Sequence, residues 1–235
     1  MDATRVNELR TLEKKLNLNF QNIELLDKAL THSSFTNEQK GVECNERLEF
    51  LGDSVLQLCI SEYLFSKYVN ESEGFLTKKR ALIVCGDSLF QVSQNWDIGP
   101  FIKMSKGEEM TGGRTRISIL ADCVEALIAA IYLDKDYENA KKFIIDNFKV
   151  IIELVQSGGY ISDYKTKLQE TIQKTKDYSI CYNLVKFDGP PHRRIFYTEV
   201  LVDSLVYGNG NGYSKKEAEQ NAAKEALKNW EAHNA

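Results

Sequence analysis

Asn45-Glu46-Arg47-Leu48-Glu49-Phe50-Leu51-Gly52-Asp53-Ser54-Val55-Leu56 is the stretch on which the reading of this chain turns. Wound as a helix at about 100° per residue, it sets Glu46, Glu49 and Asp53 within an arc of roughly 60°. Glu49 and Asp53 are four residues apart, so their Cβ atoms lie about 5–6 Å from each other. The continuation through Cys59, Ile60, Leu64 and Phe65 is apolar on nearly every side, and a helix of that kind is buried. Three carboxylates drawn together on a buried helix repel one another and lose hydration. A divalent cation is the simplest group that offsets both costs.

A second segment, from Ile117 to Leu133, has the same character. Asp122 and Glu125 are its only charges, one helical turn apart on one face. Leu120, Val124, Leu127 and Ile131 form the opposite stripe, and Ala126 and Ala129 flank the acids, where a neighbouring helix could approach closely. Glu49, Asp53, Asp122 and Glu125 are therefore expected to meet across a helix–helix contact. With no histidine among them they make a hard, all-oxygen site, which selects Mg²⁺ or Mn²⁺ over Zn²⁺. Such an ion keeps several waters, usually binds phosphate, and can activate a water for in-line attack. One competing reading pairs the acids with Arg47, Arg80 or other bases. Another is a di-iron bundle, which wants Glu-x-x-His repeats that do not occur here.

Helical spacing also runs through residues 4–18, 22–30, 76–84, 87–95 and 136–155, and no strand pattern precedes residue 156. Thr31 to Phe35 breaks the pattern, with His32 read as a hydrogen-bonded structural histidine, and residues 36–45 read as a polar loop. Residues 103–116 also read as a loop. Its basic residues Lys103, Lys106, Arg114 and Arg116 suit either a solvated connection or a phosphate-facing arm. Gln156 to Gly159 reads as a linker. Beyond it the pattern changes: a helix over 163–175, strands over 179–187 and 194–203, a short third strand at 204–207, a turn at 209–212 and a final helix from Lys215 to Trp230. The expected architecture is an all-α domain at 1–155, a linker at 156–161 and a small α+β domain of order α-β-β-β-α at 162–235.

The chain has 235 residues, a 43% hydrophobic fraction and a net charge of −4, so it can build a packed core and is not globally disordered. Five cysteines, odd in number and without a C-x-x-C pair, predict free thiols in a reducing compartment. No secretory signal or membrane-spanning run is apparent. The overall acidity argues against nucleic acid, but the charge is uneven. Residues 160–235 carry 11 basic against 10 acidic side chains, and the remainder 19 against 24. Lys215 and Lys216 fall in the first turn of the last helix, where the macrodipole disfavours cations unless an anion sits before them. His192-Arg193-Arg194 is a second basic cluster, and Gln169 and Glu170 could reach 2′-hydroxyls. Three separated contact points suit a reader of duplex RNA shape, and no row of exposed aromatics points to single strands.

At these residues the chain resembles the bacterial ribonuclease III family. Asn45 to Leu56 is similar to the family's signature, and Leu120-Ala121-Asp122-Cys123-Val124-Glu125-Ala126-Leu127-Ile128 to its second acidic motif. Residues 160–232 resemble the double-stranded RNA-binding domain, through Gly189-Pro190-Pro191-His192 and Ser214-Lys215-Lys216-Glu217-Ala218-Glu219-Gln220. The resemblance implies an all-α endonuclease acting as a cytoplasmic homodimer, with active sites along the subunit interface and no membrane or DNA partner. It implies Mg²⁺-dependent hydrolysis of double-stranded RNA, with Mn²⁺ able to substitute. The products would carry 5′-phosphate and 3′-hydroxyl ends, as in rRNA and mRNA precursor processing. By matching position, Glu49, Asp53, Asp122 and Glu125 would be the metal ligands, with Asp53 and Glu125 the most sensitive to change. Glu46 and Glu73 would lie near the cleft and the dimer interface, Phe50 would pack across that interface, and Gln169, Glu170, His192, Lys215, Lys216 and Gln220 would contact RNA. The alternatives are a non-cleaving RNA-binding regulator built on the same fold, and a metal-storing or redox helical bundle.

Overall fold

The computed structural model describes all residues except 40, 158–163, 175–177, 190–193 and 234–235. The chain forms two compact units, Met1–Tyr160 and Ile161–Ala235. Among the described residues, no helix is long and apolar enough to cross a membrane.

The first unit is helical: α1 (Ala3–Leu16), α2 (Ile23–Ala29), α3 (Ser33–Glu38), α4 (Glu46–Lys67), α5 (Glu73–Ile83), α6 (Gly86–Trp96), α7 (Lys106–Met110), α8 (Ile117–Asp134) and α9 (Tyr137–Gln156), with 3₁₀ turns at Gly99–Phe101 and Gly113–Thr115. The nearly charge-free α8 forms the centre. Cys123, Val124, Leu127, Ile128, Ala129 and Ala130 are wholly buried there, and α4, α6, α2 and α9 pack around it. Trp96, Phe143, Ile144 and Phe148 complete the same core.

Two stretches expected to be loops contain helices. The polar loop expected over residues 36–45 is partly helical, because α3 begins at Ser33 and runs into it. His32 caps α3: the Ser34 amide donates to Nδ1 at 3.2 Å, and the Ser34 hydroxyl lies 2.8 Å from the same nitrogen. Residues 103–116 contain α7 and a 3₁₀ turn, and three of their four basic residues are engaged within the fold. Arg114 donates to the carbonyls of Gly99, Pro100 and Ile102 at 2.9–3.1 Å. Arg116 pairs with Glu108, and Lys103 pairs with Asp27. The segment is a folded connection in which Lys103, Arg114 and Arg116 meet nearby carbonyls and acids, while Lys106 is exposed. Helices this short carry too few periodic positions to stand out in a sequence.

The second unit is α10 (Tyr164–Gln173), β1 (Ile180–Asp188), β2 (Ile195–Val202), β3 (Leu205–Gly212) and α11 (Lys215–His233). The sheet is antiparallel in the order β1-β2-β3, with irregularities between Leu184 and Lys186 and between Val200 and Leu201. Val200 and Val202 turn inward onto Leu168, Ile172, Ala222, Ala223, Ala226 and Trp230.

Here the expected turn at 209–212 is overturned: Asn209-Gly210-Asn211-Gly212 is part of β3. The chain reverses instead at Asp203-Ser204, both with positive φ (45° and 70°). That is the backbone twist a two-residue hairpin loop requires. The glycines serve close packing. A Cβ on Gly208 would sit 2.4 Å from the Ala222 carbonyl oxygen, and one on Gly210 would sit 2.1 Å from the Ala222 nitrogen. Helix α11 therefore lies directly on the strand backbone, and Asn221 and Asn229 fasten it with 2.8 Å hydrogen bonds to the Asn211 and Tyr207 carbonyls.

Candidate functional site

Helices α4 and α8 bring their acids together because their backbones touch. A Cβ on Gly52 would lie 1.8 Å from the Glu125 carbonyl oxygen, so only glycine allows this approach. The N-terminus of α4 is fixed by Asn45, which is buried. Its amide donates to the Thr31 carbonyl at 2.9 Å, and its side chain donates to Cys123 Sγ at 3.5 Å, beside Asp122. Thr31 in turn bridges Lys103 in parallel fashion.

Glu49, Asp122 and Glu125 offer carboxylate oxygens that all lie within 4.8 Å of one another. Among the described ion pairs, none involves these acids, so pairing with Arg47 or Arg80 is not how their charge is met; Arg80 instead donates to Ser61 Oγ at 2.9 Å. The cost is visible in their protonation. Burial, then the charges of Asp53, Glu49 and Asp122, pushes Glu125 up to about 8. Burial, then Asp122, Glu46 and Asp53, raises Glu49. Burial raises Asp122, and the nearby His32 opposes that rise. A half-buried, mutually repelling, all-oxygen donor set fits a hard divalent cation.

Asp53 stands apart from the three. Gln57, one turn along α4, donates Nε2 to both of its oxygens at 2.9 Å. Asp53 is still near enough for its charge to raise Glu125 and Glu49. Glu46 is exposed at the start of α4. Glu73 opens α5, accepts from Thr77 Oγ1 at 2.7 Å, and lines a separate depression with Ser61, Phe65 and Arg80. Phe50 projects outward, 79% exposed, and Leu58 and Phe65 of the same helix are exposed as well. Sequence reasoning does not single out Gly52 and Gln57. A lone glycine inside a helix of a buried pattern, and a glutamine four residues after an acid, are the signals available for them.

In the second unit, Ser214 caps α11 by accepting from the Glu217 amide, and Glu217 accepts from the Tyr213 amide. This capping box sets Lys215 and Lys216 at the helix start, both exposed. Gln169 and Glu170 are exposed on α10. Gln220 accepts from the Lys165 amide at 3.3 Å and so joins α11 to the start of α10. His192 lies outside the described residues.

The profile of the family described as Ribonuclease-III-like matches residues 22–151. The chain belongs to the ribonuclease III family. The profile of the double-stranded RNA binding motif matches residues 164–229. The chain is 62% identical over 224 residues to a ribonuclease 3 of Clostridium kluyveri, covering 95% of this chain and 92% of that protein. It is 60% identical over 226 residues to a ribonuclease 3 of Clostridium tetani, covering 96% of each. A structure of the nuclease domain of ribonuclease III from Campylobacter jejuni, whose subject is structural flexibility in a region involved in dimer formation, matches with a TM-score of 0.56 at 43% identity, covering 59% of this chain and 94% of that one. This member of the ribonuclease III family is accordingly an endoribonuclease: an α-helical nuclease unit followed by a double-stranded RNA-binding unit.

Proposed function

We propose that this chain is a homodimeric, Mg²⁺-dependent endonuclease that hydrolyses double-stranded RNA to 5′-phosphate and 3′-hydroxyl ends, in the cytoplasm, in the processing of rRNA and mRNA precursors. The observation that carries the reading is the cluster of Glu49, Asp122 and Glu125, three carboxylates within 4.8 Å of one another with no basic partner among the described ion pairs. It is joined to a unit that matches the double-stranded RNA binding motif. The nuclease part takes residues 1–155, a connection 156–161, and the RNA-binding part 162–235.

Glu49, Asp122 and Glu125 would hold the cation, and Asp53, on the next turn of α4, would complete the set. Bound there, Mg²⁺ supplies activation of a water and stabilisation of the leaving oxygen. Burial and the neighbouring acids push Glu125 up to about 8, so a cation held there would displace a proton from it, since metal ligands must be deprotonated. Asn45 and Gly52 keep α4 and α8 in register so that the four acids share one cleft. Lys215 and Lys216 meet phosphates of the duplex, and Gln169, Glu170, His192 and Gln220 meet its groove and backbone. Separated contact points of this kind suit the shape of duplex RNA, and DNA is not expected as the substrate. Phe50, Leu58 and Phe65 present an apolar strip that a second copy covers, and two copies bring one cutting site to each strand. The five free thiols suit a reducing compartment.

The test is incubation of a long RNA duplex with and without Mg²⁺, followed by analysis of the ends. Discrete cutting that needs the cation and leaves 5′-phosphates is expected. Tight duplex binding without cutting at any Mg²⁺ concentration would instead identify a non-cleaving regulator.

A further inference from the structure

We infer that Gln57 is a positioning residue for the cation site: it fixes the orientation of the Asp53 carboxylate beside the acidic cluster. The inference rests on the reading of Asp53 as a metal ligand.

Gln57 Nε2 lies 2.9 Å from Asp53 Oδ1 and 2.9 Å from Oδ2. A symmetric approach of one amide nitrogen to both oxygens locks the carboxylate plane, which a contact to a single oxygen would leave free to turn. Both residues are half-buried, on successive turns of one helix. Gln57 is followed by Leu58 on the exposed side and by Cys59 and Ile60 in the core, so its backbone is held by a fully packed helix. The amide is also neutral. A lysine or arginine at this position could grip the carboxylate equally well, but it would cancel part of the charge that attracts a cation. An amide orients the acid and leaves its charge intact.

The neighbouring acids lack such a device. Among the described hydrogen bonds, Glu49, Asp122 and Glu125 accept none from a side chain, and they form the tight cluster themselves. Asp53 is the acid outside that cluster, and it is the one given a dedicated donor. An unheld aspartate at the cluster's margin would rotate among several rotamers, and ordering it would weaken cation binding.

The experiment is titration calorimetry of Mn²⁺ into the metal-stripped full-length chain, for wild type, Gln57→Leu, Gln57→Glu and Asp53→Asn, with thermal unfolding in EDTA as a folding control. Gln57→Leu keeps helix propensity but removes the donor, and it should weaken Mn²⁺ binding about ten-fold with the melting temperature in EDTA unchanged. Gln57→Glu should weaken it too, since it places an acceptor against an acceptor. Asp53→Asn should weaken it at least as much. If both Gln57 variants bind Mn²⁺ as wild type does, or more tightly, while Asp53→Asn is impaired, Gln57 is only a helix-surface partner and the inference fails. If Asp53→Asn also binds normally, the ligand role of Asp53 fails with it.

Discussion

The carbonyl oxygen of Glu125 occupies the space that a side chain on Gly52 would need, 1.8 Å from where its Cβ would sit. The obstacle is helix backbone, so no rotamer change can relieve it. Gly52→Ala must push α4 away from α8, through the most extensive helix–helix contact of the nuclease unit. We expect a loss of about 3 kcal/mol in unfolding free energy by chemical denaturation. Loss of Mg²⁺-dependent protection against heat should accompany it. A variant as stable as wild type would show that the two helices are not in contact here.

The raised acids set a pH dependence with a definite sign. Glu125 is shifted from 4.5 to about 8, so the folded, metal-free chain binds more protons than the unfolded chain between those values. Its contribution to stability is full below about pH 4.5 and is lost as the pH rises through about 8. In EDTA the melting temperature should therefore fall between about pH 6 and about pH 8.5. Glu125→Gln should flatten that decline, and saturating Mg²⁺ should reverse it. Calorimetric melts at these two pH values, in both conditions, check it.

Most of the site is legible in the amino-acid sequence, because the physics that exposes it is local. A helix that carries two acids and almost nothing else polar, as at Asp122 and Glu125, has few explanations. Legibility ends where a residue's role depends on what packs against it from far along the chain. Gly52 looks like a modest helix-propensity cost until α8 lies against it. Gly210 and Gly212 look like a turn because glycine usually marks one, yet here they admit α11 onto β3. Arg114 and Arg116 advertise charge, but whether they meet phosphate or their own carbonyls is a tertiary question. Gln57 is visible only once the Asp53 carboxylate has an orientation.

The glycine row in β3 gives its own test. At Gly210 a Cβ would fall 2.1 Å from the Ala222 nitrogen and 2.2 Å from the Ala218 carbonyl oxygen. Gly210→Val should unfold the second unit, abolishing the near-ultraviolet signal of Trp230 and duplex binding. The helical signal of the nuclease unit should survive. If 209–212 were a solvent-exposed turn, the substitution would cost well under about 1 kcal/mol.

Lys215 and Lys216 stand exposed at the capped start of α11, where two ammonium groups add their charge to an anion-binding helix end. Replacing both by alanine should weaken duplex binding and lower the slope of log K against log salt by about 2. Filter binding across a NaCl series measures both. An unchanged slope would remove these lysines from the phosphate contacts.

Glu49, Asp122 and Glu125 form a seat for a hard dication because none of the described ion pairs neutralises them. Titration calorimetry of Mg²⁺ into the metal-stripped chain at about pH 7, in two buffers of different ionisation enthalpy, tests it most directly. Binding coupled to proton release is expected, with both largely lost in Glu125→Gln. Mg²⁺ binding of equal strength in Glu125→Gln, or no binding to the wild-type chain, would contradict it.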